Sequence, residues 1–327
     1  IARTKEFLEK VPCKVSLLDT VASLHFIVEV FAGADSASVE IIHQHTNIVR
    51  TTKNGKDVLS VPFDPASANA ALTDRLGLSV KKILEFADTI NLDRVRPILE
   101  RQIDYNTRIA QEGLEHRYGI NAGANLLKAA EAERAVTLKI RAQAAAAAGS
   151  DARMSGCTLP VVTNSGSGNQ GITCSIPVIE YAKELKSSKE KLYRAPALSN
   201  LTSIHQKHGI GTLFAYCGAV SAGAGAGIAY LTDGSFEAVE HTVVNTLAIV
   251  SGIVCDGAKA SCAAKIASSV DAAIMGLSMY KDGQAFHGGD GIVMNNIEET
   301  IKGISKIGKD GMRETNNEII KLMVENH

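Results

Sequence analysis

Two cysteines stand beside glycine in contexts suited to metal chemistry, Tyr216-Cys217-Gly218-Ala219 and Val254-Cys255-Asp256-Gly257-Ala258-Lys259-Ala260-Ser261-Cys262. At helix breaks of this kind, free backbone N–H groups hydrogen-bond sulfur and lower a thiol's pKa. The spacings, 38 residues and then 7, match neither a zinc ribbon nor the compact ferredoxin run. Spacing alone is therefore a weak metal signal, and small core cysteines are the plain alternative.

A second constellation is Leu159-Pro160-Val161-Val162-Thr163-Asn164 followed by Ser165, Gly166, Ser167, Gly168, Asn169, Gln170 and Gly171. Gly166, Gly168 and Gly171 satisfy the dinucleotide pattern G-x-G-x-x-G after an apolar run. Its context fails, because Ser187–Leu201 is polar and then helical, with no second parallel strand ending in an acid. The physical content survives without that label. Glycines let backbone N–H groups converge, four polar side chains add donors, and the helix that follows turns its N-terminus to the same point. Such a nest suits a carboxylate as well as a phosphate.

Third, His43-Gln44-His45-Thr46-Asn47 ends a predicted strand, where histidines at i and i+2 share a face. His205 and His208 flank Lys207 on a helical segment leading to Cys217, which makes them candidates for proton transfer. Sheet-packing or solvent-exposed histidines are the plain reading of both pairs.

The elements that must position these residues change character near residue 75. Lys14–Leu18, Ser23–Phe31, Ala37–Val49 and the segment around Asp57–Val61 alternate or cluster β-branched and apolar residues. Turn signals at Gly33-Ala34-Asp35 and Lys53-Asn54-Gly55-Lys56 separate them, predicting an antiparallel sheet of three or four strands. From Ser79 the period is helical. One helix begins at Val80, a second spans Leu92–Glu112 with Gly113 just past its end, and a third spans Asn121–Ala148. The remainder reads as helices with Gly-rich joints and no proline after Pro196. The expected fold class is α+β: a small antiparallel-sheet domain over 1–75, then a larger, mostly all-helical catalytic domain over 76–327.

Net charge is −1 with mixed signs and there is no Trp, so no footprint for nucleic acid or an anionic membrane appears. Uninterrupted apolar runs stay below the roughly 18 residues a membrane span needs. The six cysteines sit in a chain too large to need disulfide staples, and no signal peptide opens it, which points to reduced thiols in the cytoplasm. Helical Gly/Ala faces often pack between subunits, so a homodimer is an expectation.

Taken together, these motifs resemble the L-cysteine desulfidase family, a serine dehydratase alpha-chain-like group, over essentially the whole chain. The pieces that carry the likeness are His45-Thr46-Asn47-Ile48, Ser150-Asp151-Ala152-Arg153-Met154, Asn164 through Ile172, Cys217-Gly218-Ala219, Cys255 through Lys259, Asp290-Gly291-Ile292-Val293 and Gly311 through Thr315. More distantly the chain is similar to iron–sulfur-dependent bacterial L-serine dehydratases. The resemblance implies a 4Fe-4S cluster held by three cysteines, with Cys217 and Cys255 as two ligands. The family's third ligand lies in an N-terminal Gly-Cys-Thr-Glu-Pro segment that this sequence lacks. It is therefore expected from a portion preceding Ile1, with Cys262 as a possible substitute. It further implies β-elimination from a small amino acid without pyridoxal phosphate. The carboxylate would rest on Ser165–Gln170, His45, Thr46 and Asn47 would supply nearby polar contacts, and Lys207, His205 or Lys259 would be the candidate base. Cysteine is the expected substrate and serine the alternative. A non-catalytic iron–sulfur or metabolite-binding protein is the rival from another class.

Overall fold

The structure is a computed structural model, and it describes residues 4–16, 18–20, 22, 24–43, 46–63, 75, 77–210 and 221–325. It divides into two compact units, Ile1–Asp74 with Asn317–His327, and Arg75–Asn316.

The first unit opens with helix α1 (Thr4–Lys10), followed by β1 (His25–Ala32), β2 (Asp35–Ile42), β3 (Ile48–Lys53) and β4 (Lys56–Ser60). The strands form an antiparallel meander in the order β1-β2-β3-β4. Asn54 and Gly55 both take positive φ, as the tight β3–β4 turn demands. Two sequence expectations change here. The described part of Lys14–Leu18 is not a strand, since β1's outer edge gains no partner among the described residues. Ala37–Val49 is not one strand but parts of two. The chain turns left-handed at His43, and Asn47 closes the hairpin by donating its side-chain amide to the Ile42 carbonyl at 3.0 Å. His43 thus lies past the strand end, so the shared-face premise for the two histidines fails; His45 lies outside the described residues.

In the second unit the described helices are α2 (Val80–Thr89), α3 (Leu92–Glu115), α4 (Ala122–Ala132), α5 (Leu138–Met154), α6 (Gly168–Glu184), α7 (Lys189–Ile210), α8 (Ser221–Thr232), α9 (Phe236–Ile249), α10 (Ser261–Lys281) and α11 (Ile297–Lys306). One π-helical turn, Ile307–Gly311, joins α11 to α12 (Arg313–Glu325). Side-chain caps start many of them, as at Ser79, Thr137, Ser167, Ser235 and Asn296. The predicted helix over Asn121–Ala148 is two, because Arg134 adopts a positive φ and Thr137 caps a new start.

The core is made of helices buried on every side. In α5 every residue from Ala142 to Ala152 is buried, and in α8 every residue from Ser221 to Leu231. Such helices need neighbours without volume. Gly113, expected past the end of α3, lies inside it, and a Cβ there would fall 2.0 Å from the Ala148 carbonyl oxygen. At Gly123 of α4 it would fall 2.3 Å from the Ala148 nitrogen. Helix α10 is long and apolar enough to cross a membrane by length and composition, yet Ala263, Val270 and Ala273 within it are core residues.

Overpacking at these crossings has a measurable cost. Gly113→Ala should lower unfolding stability by about 3 kcal/mol. Gly303→Ala, in α11 with nothing nearer than 3.7 Å, should raise it by about 0.5–1 kcal/mol. Urea titrations of both variants check the pair.

Candidate functional site

The polar loop is a tight turn feeding a helix. Asn164 and Ser167 exchange two backbone hydrogen bonds of 3.0 Å. Between them Ser165 (φ 47°) and Gly166 (φ 80°) both lie in the left-handed region, as a type I′ turn requires. Ser167 then caps α6, its hydroxyl accepting the Gln170 N–H at 3.4 Å. Gly171 lies against the incoming chain, where a Cβ would meet the Val162 carbonyl at 1.9 Å. At Gly168 a Cβ would meet the Arg153 guanidinium at 2.2 Å. The three glycines therefore serve a turn and two close approaches. No strand occurs among the described residues of this unit, which leaves the dinucleotide pattern without its context.

Buried amides hold the turn. Asn106, fully buried on α3, accepts the Val162 N–H at 2.9 Å. It donates to Gly171 O at 3.1 Å and to Ser175 Oγ at 3.0 Å. Asn164 donates to Oδ1 of Asn200 on α7 at 3.0 Å, and Asn200 and Gln102 bond each other reciprocally at 2.7 and 3.1 Å. The Cys174 thiol donates to the same Asn200 oxygen at 3.4 Å, and burial pushes its pKa up to about 12. Cys174 is thereby a structural thiol. Sequence reading missed Gln102, Asn106 and Asn200. Their only signal was polar amides at positions where the helical period calls for apolar residues.

A thiol corner lies between α9 and α10. Cys255 and Cys262 are both buried and their thiols hydrogen-bond, which with burial pushes the Cys262 thiol up. Gly257 (φ 93°) and Ala258 (φ 57°) reverse the chain, and the Lys259 carbonyl accepts the Cys262 N–H at 3.0 Å. Burial works against the Asp256 carboxylate, but the Ser261 hydroxyl and Lys265, 3.0 Å away, outweigh it and hold the carboxyl below its usual range. Arg153, at the end of α5, joins this corner to the loop. Nη1 donates to Asn169 Oδ1 at 3.3 Å, and Cys262 acts electrostatically on the same guanidinium, whose pKa burial lowers.

Two buried soft thiols on a reversed loop suit a thiophilic metal or cluster. Among the described residues no group of three or more His, Cys, Asp or Glu converges, and Cys217 lies outside them. The comparisons with known proteins bear on what such a corner is for. Residues 28–321 match the family model described as serine dehydratase alpha chain. This chain belongs to the serine dehydratase alpha-chain family. A "UPF0597 protein" of Treponema denticola is 50% identical over 98% of this chain and 75% of its own length. Another, from Desulfitobacterium hafniense, is 52% identical over 98% and 74%. No solved structure matches.

The family match spans residues of both units, but the expected site residues fall into separate groups. In the helical unit Gly168 and Asn169 touch Arg153, and Cys262, bonded to Cys255, acts electrostatically on the same guanidinium. Thr46 and Asn47 are exposed in the sheet unit, where the Asn47 side chain is spent on its own hairpin. The ring of His205 lies 2.7 Å from Glu298, and the second oxygen of Glu298 accepts the Val80 N–H at 2.7 Å, so this pair ties α7 and α11 to the start of α2. Burial raises the Glu298 pKa, but His205 and that N–H outweigh it and hold the carboxyl low. Lys207 is buried and Lys259 exposed.

Removing the Asn106 amide leaves the Val162 N–H and carbonyl without their side-chain partner. Asn106→Leu should therefore cost about 2–3 kcal/mol in a urea titration. Iodoacetamide at pH 8 should label exposed Cys13 in the native protein and spare Cys174, read by peptide mass spectrometry.

Proposed function

We propose that this protein is a β-eliminating lyase for a small L-amino acid: an iron–sulfur-dependent L-cysteine desulfidase, converting L-cysteine and water to sulfide, pyruvate and ammonia. The observation that carries the reading is Arg153, which donates to Asn169 in the first turn of α6 while Cys262 of the buried thiol pair acts on it electrostatically. Membership in the serine dehydratase alpha-chain family supports lyase chemistry of this kind.

With Cys262 as the possible substitute for the third ligand, Cys217 and Cys255 would supply two of the thiolates that hold a 4Fe-4S cluster. When bound, it would supply an open iron as Lewis acid for the departing sulfur or oxygen. The thiols must shed protons to bind iron as thiolates, so loading should release acid. The α6 N-terminus and the turn Ser165–Gln170 receive the carboxylate, which fixes the α-carbon relative to the thiol corner. Lys207, His205 and Lys259 are the candidate bases for the α-proton. Lys207 is the one of the three that is buried. Pyridoxal phosphate is not required, because departure of the leaving group rather than an electron sink drives elimination. The reading places the protein in the cytoplasm, where thiols stay reduced. The family's description favours L-serine dehydration as the second reading.

Anaerobic purification of the chain, reconstitution with iron and sulfide, and product assay test it. Sulfide and pyruvate should appear in equal amounts from L-cysteine, and Cys255→Ala should abolish both. Pyruvate from L-serine alone selects the second reading. No product from either with the cluster intact removes the lyase assignment in favour of a redox or binding protein.

A further inference from the structure

The sheet unit has far more apolar surface than core. Among its described residues Ile42 and Val49 are the buried apolar side chains, and most of the other large ones stand exposed. The exposed ones are sorted by face. The strand register sets Phe26, Val28 and Val30 of β1 beside Ile41, Val39 and Ala37 of β2. The same face continues through Ile48 and Thr51 of β3 to Leu59 of β4. Phe26, Val28 and Val30 are 50%, 59% and 54% exposed. The opposite face pairs its polar groups internally: His25 Nε2 lies 2.8 Å from Glu40, the Ser38 and Thr52 hydroxyls bond at 2.7 Å, and Arg50 donates to Asp57 at 2.8 Å. An antiparallel sheet patterned in this way buries its apolar face and wets the other. A contiguous apolar face left in water marks a contact surface.

The lengths of the relatives point to what covers it. The Treponema denticola and Desulfitobacterium hafniense proteins match this chain over 75% and 74% of their own length, so about a quarter of each lies outside the match. We infer that the Phe26–Val28–Val30 face of the sheet is the docking surface for that further portion of chain, presented in cis as an amphipathic segment with an apolar stripe. Four strands about 4.8 Å apart give a face wide enough for two helices of about 10 Å diameter side by side. A tethered segment also needs no second molecule, because covalent linkage alone gives an effective concentration of about millimolar. The polar, internally bonded face is left to water.

Photo-cross-linking in the full-length Treponema denticola relative tests it. A benzophenone side chain at the position aligned with Val28 should link to the unmatched quarter of the same molecule, read by peptide mass spectrometry. The position aligned with Phe31, on the opposite face, should give no such link. The one aligned with Val30 serves if the Val28 variant does not fold. Hydrogen exchange in the strand aligned with β1 should be at least about 10-fold slower in the relative than in this chain. Val28→Lys should leave the melting temperature of this chain unchanged, whereas the aligned lysine should lower that of the relative by roughly 5 °C. Links from the Val28 position to a second copy, to the matched region only or to nothing overturn the inference. Equal exchange in the two proteins, or a relative whose melting ignores the lysine, overturns it as well.

Discussion

Backbone meets backbone where α3 and α4 cross α5. An added Cβ at Gly113 or Gly123 would stand 2.0 or 2.3 Å from main-chain atoms of Ala148, inside any permitted contact. The helical unit is built from that constraint outward. Because α5 is clasped so closely, its polar end is fixed: Asp151 reaches the start of α4, where the Gly123 N–H donates to its carboxylate at 2.9 Å, and Arg153 is carried to α6. Burial raises the Asp151 carboxyl against the pull of the Gly123 and Ala122 N–H groups. Rigid packing of this sort is what holds polar groups in one geometry without a ligand present.

From α5 the order passes to the loop through amides rather than apolar contact. Asn164, Asn200 and Gln102 bond one another and Asn106 bonds the main chain at Val162 and Gly171, so a strained, left-handed Ser165 is held between them. Gly168 then leaves room for the guanidinium, and Arg153 bonds Asn169 in the first turn of α6 while Cys262 acts on it electrostatically. Positive potential thus concentrates where an anion and a thiolate-rich group would both be welcome.

Much of this was legible in the residues. The Asn54-Gly55 turn, the change to helical period at Ser79, the helix after the glycine loop and the break at Cys255 all follow from local chemistry, and the structure has each of them. What was not legible depends on partners distant in sequence. Gly113 read as a helix end because its reason for lacking a side chain is Ala148, 35 residues later. Asn106 read as unremarkable because its partners lie at Val162, Gly171 and Ser175. The His43–His45 pair read as one face of a strand because nothing local announces the left-handed φ at His43. Arg153 stood inside a quoted motif, yet only the missing Cβ of Gly168 shows what it touches.

The central claim is that the thiol corner and the α6 N-terminus serve one substrate. Electron paramagnetic resonance of the anaerobically reconstituted, reduced protein, with and without L-cysteine, tests it most directly. The account predicts a cluster signal that shifts when L-cysteine is added, because a substrate held at α6 reaches the iron, and a signal that Cys255→Ala removes. A reduced cluster whose spectrum is identical with and without saturating L-cysteine would contradict it.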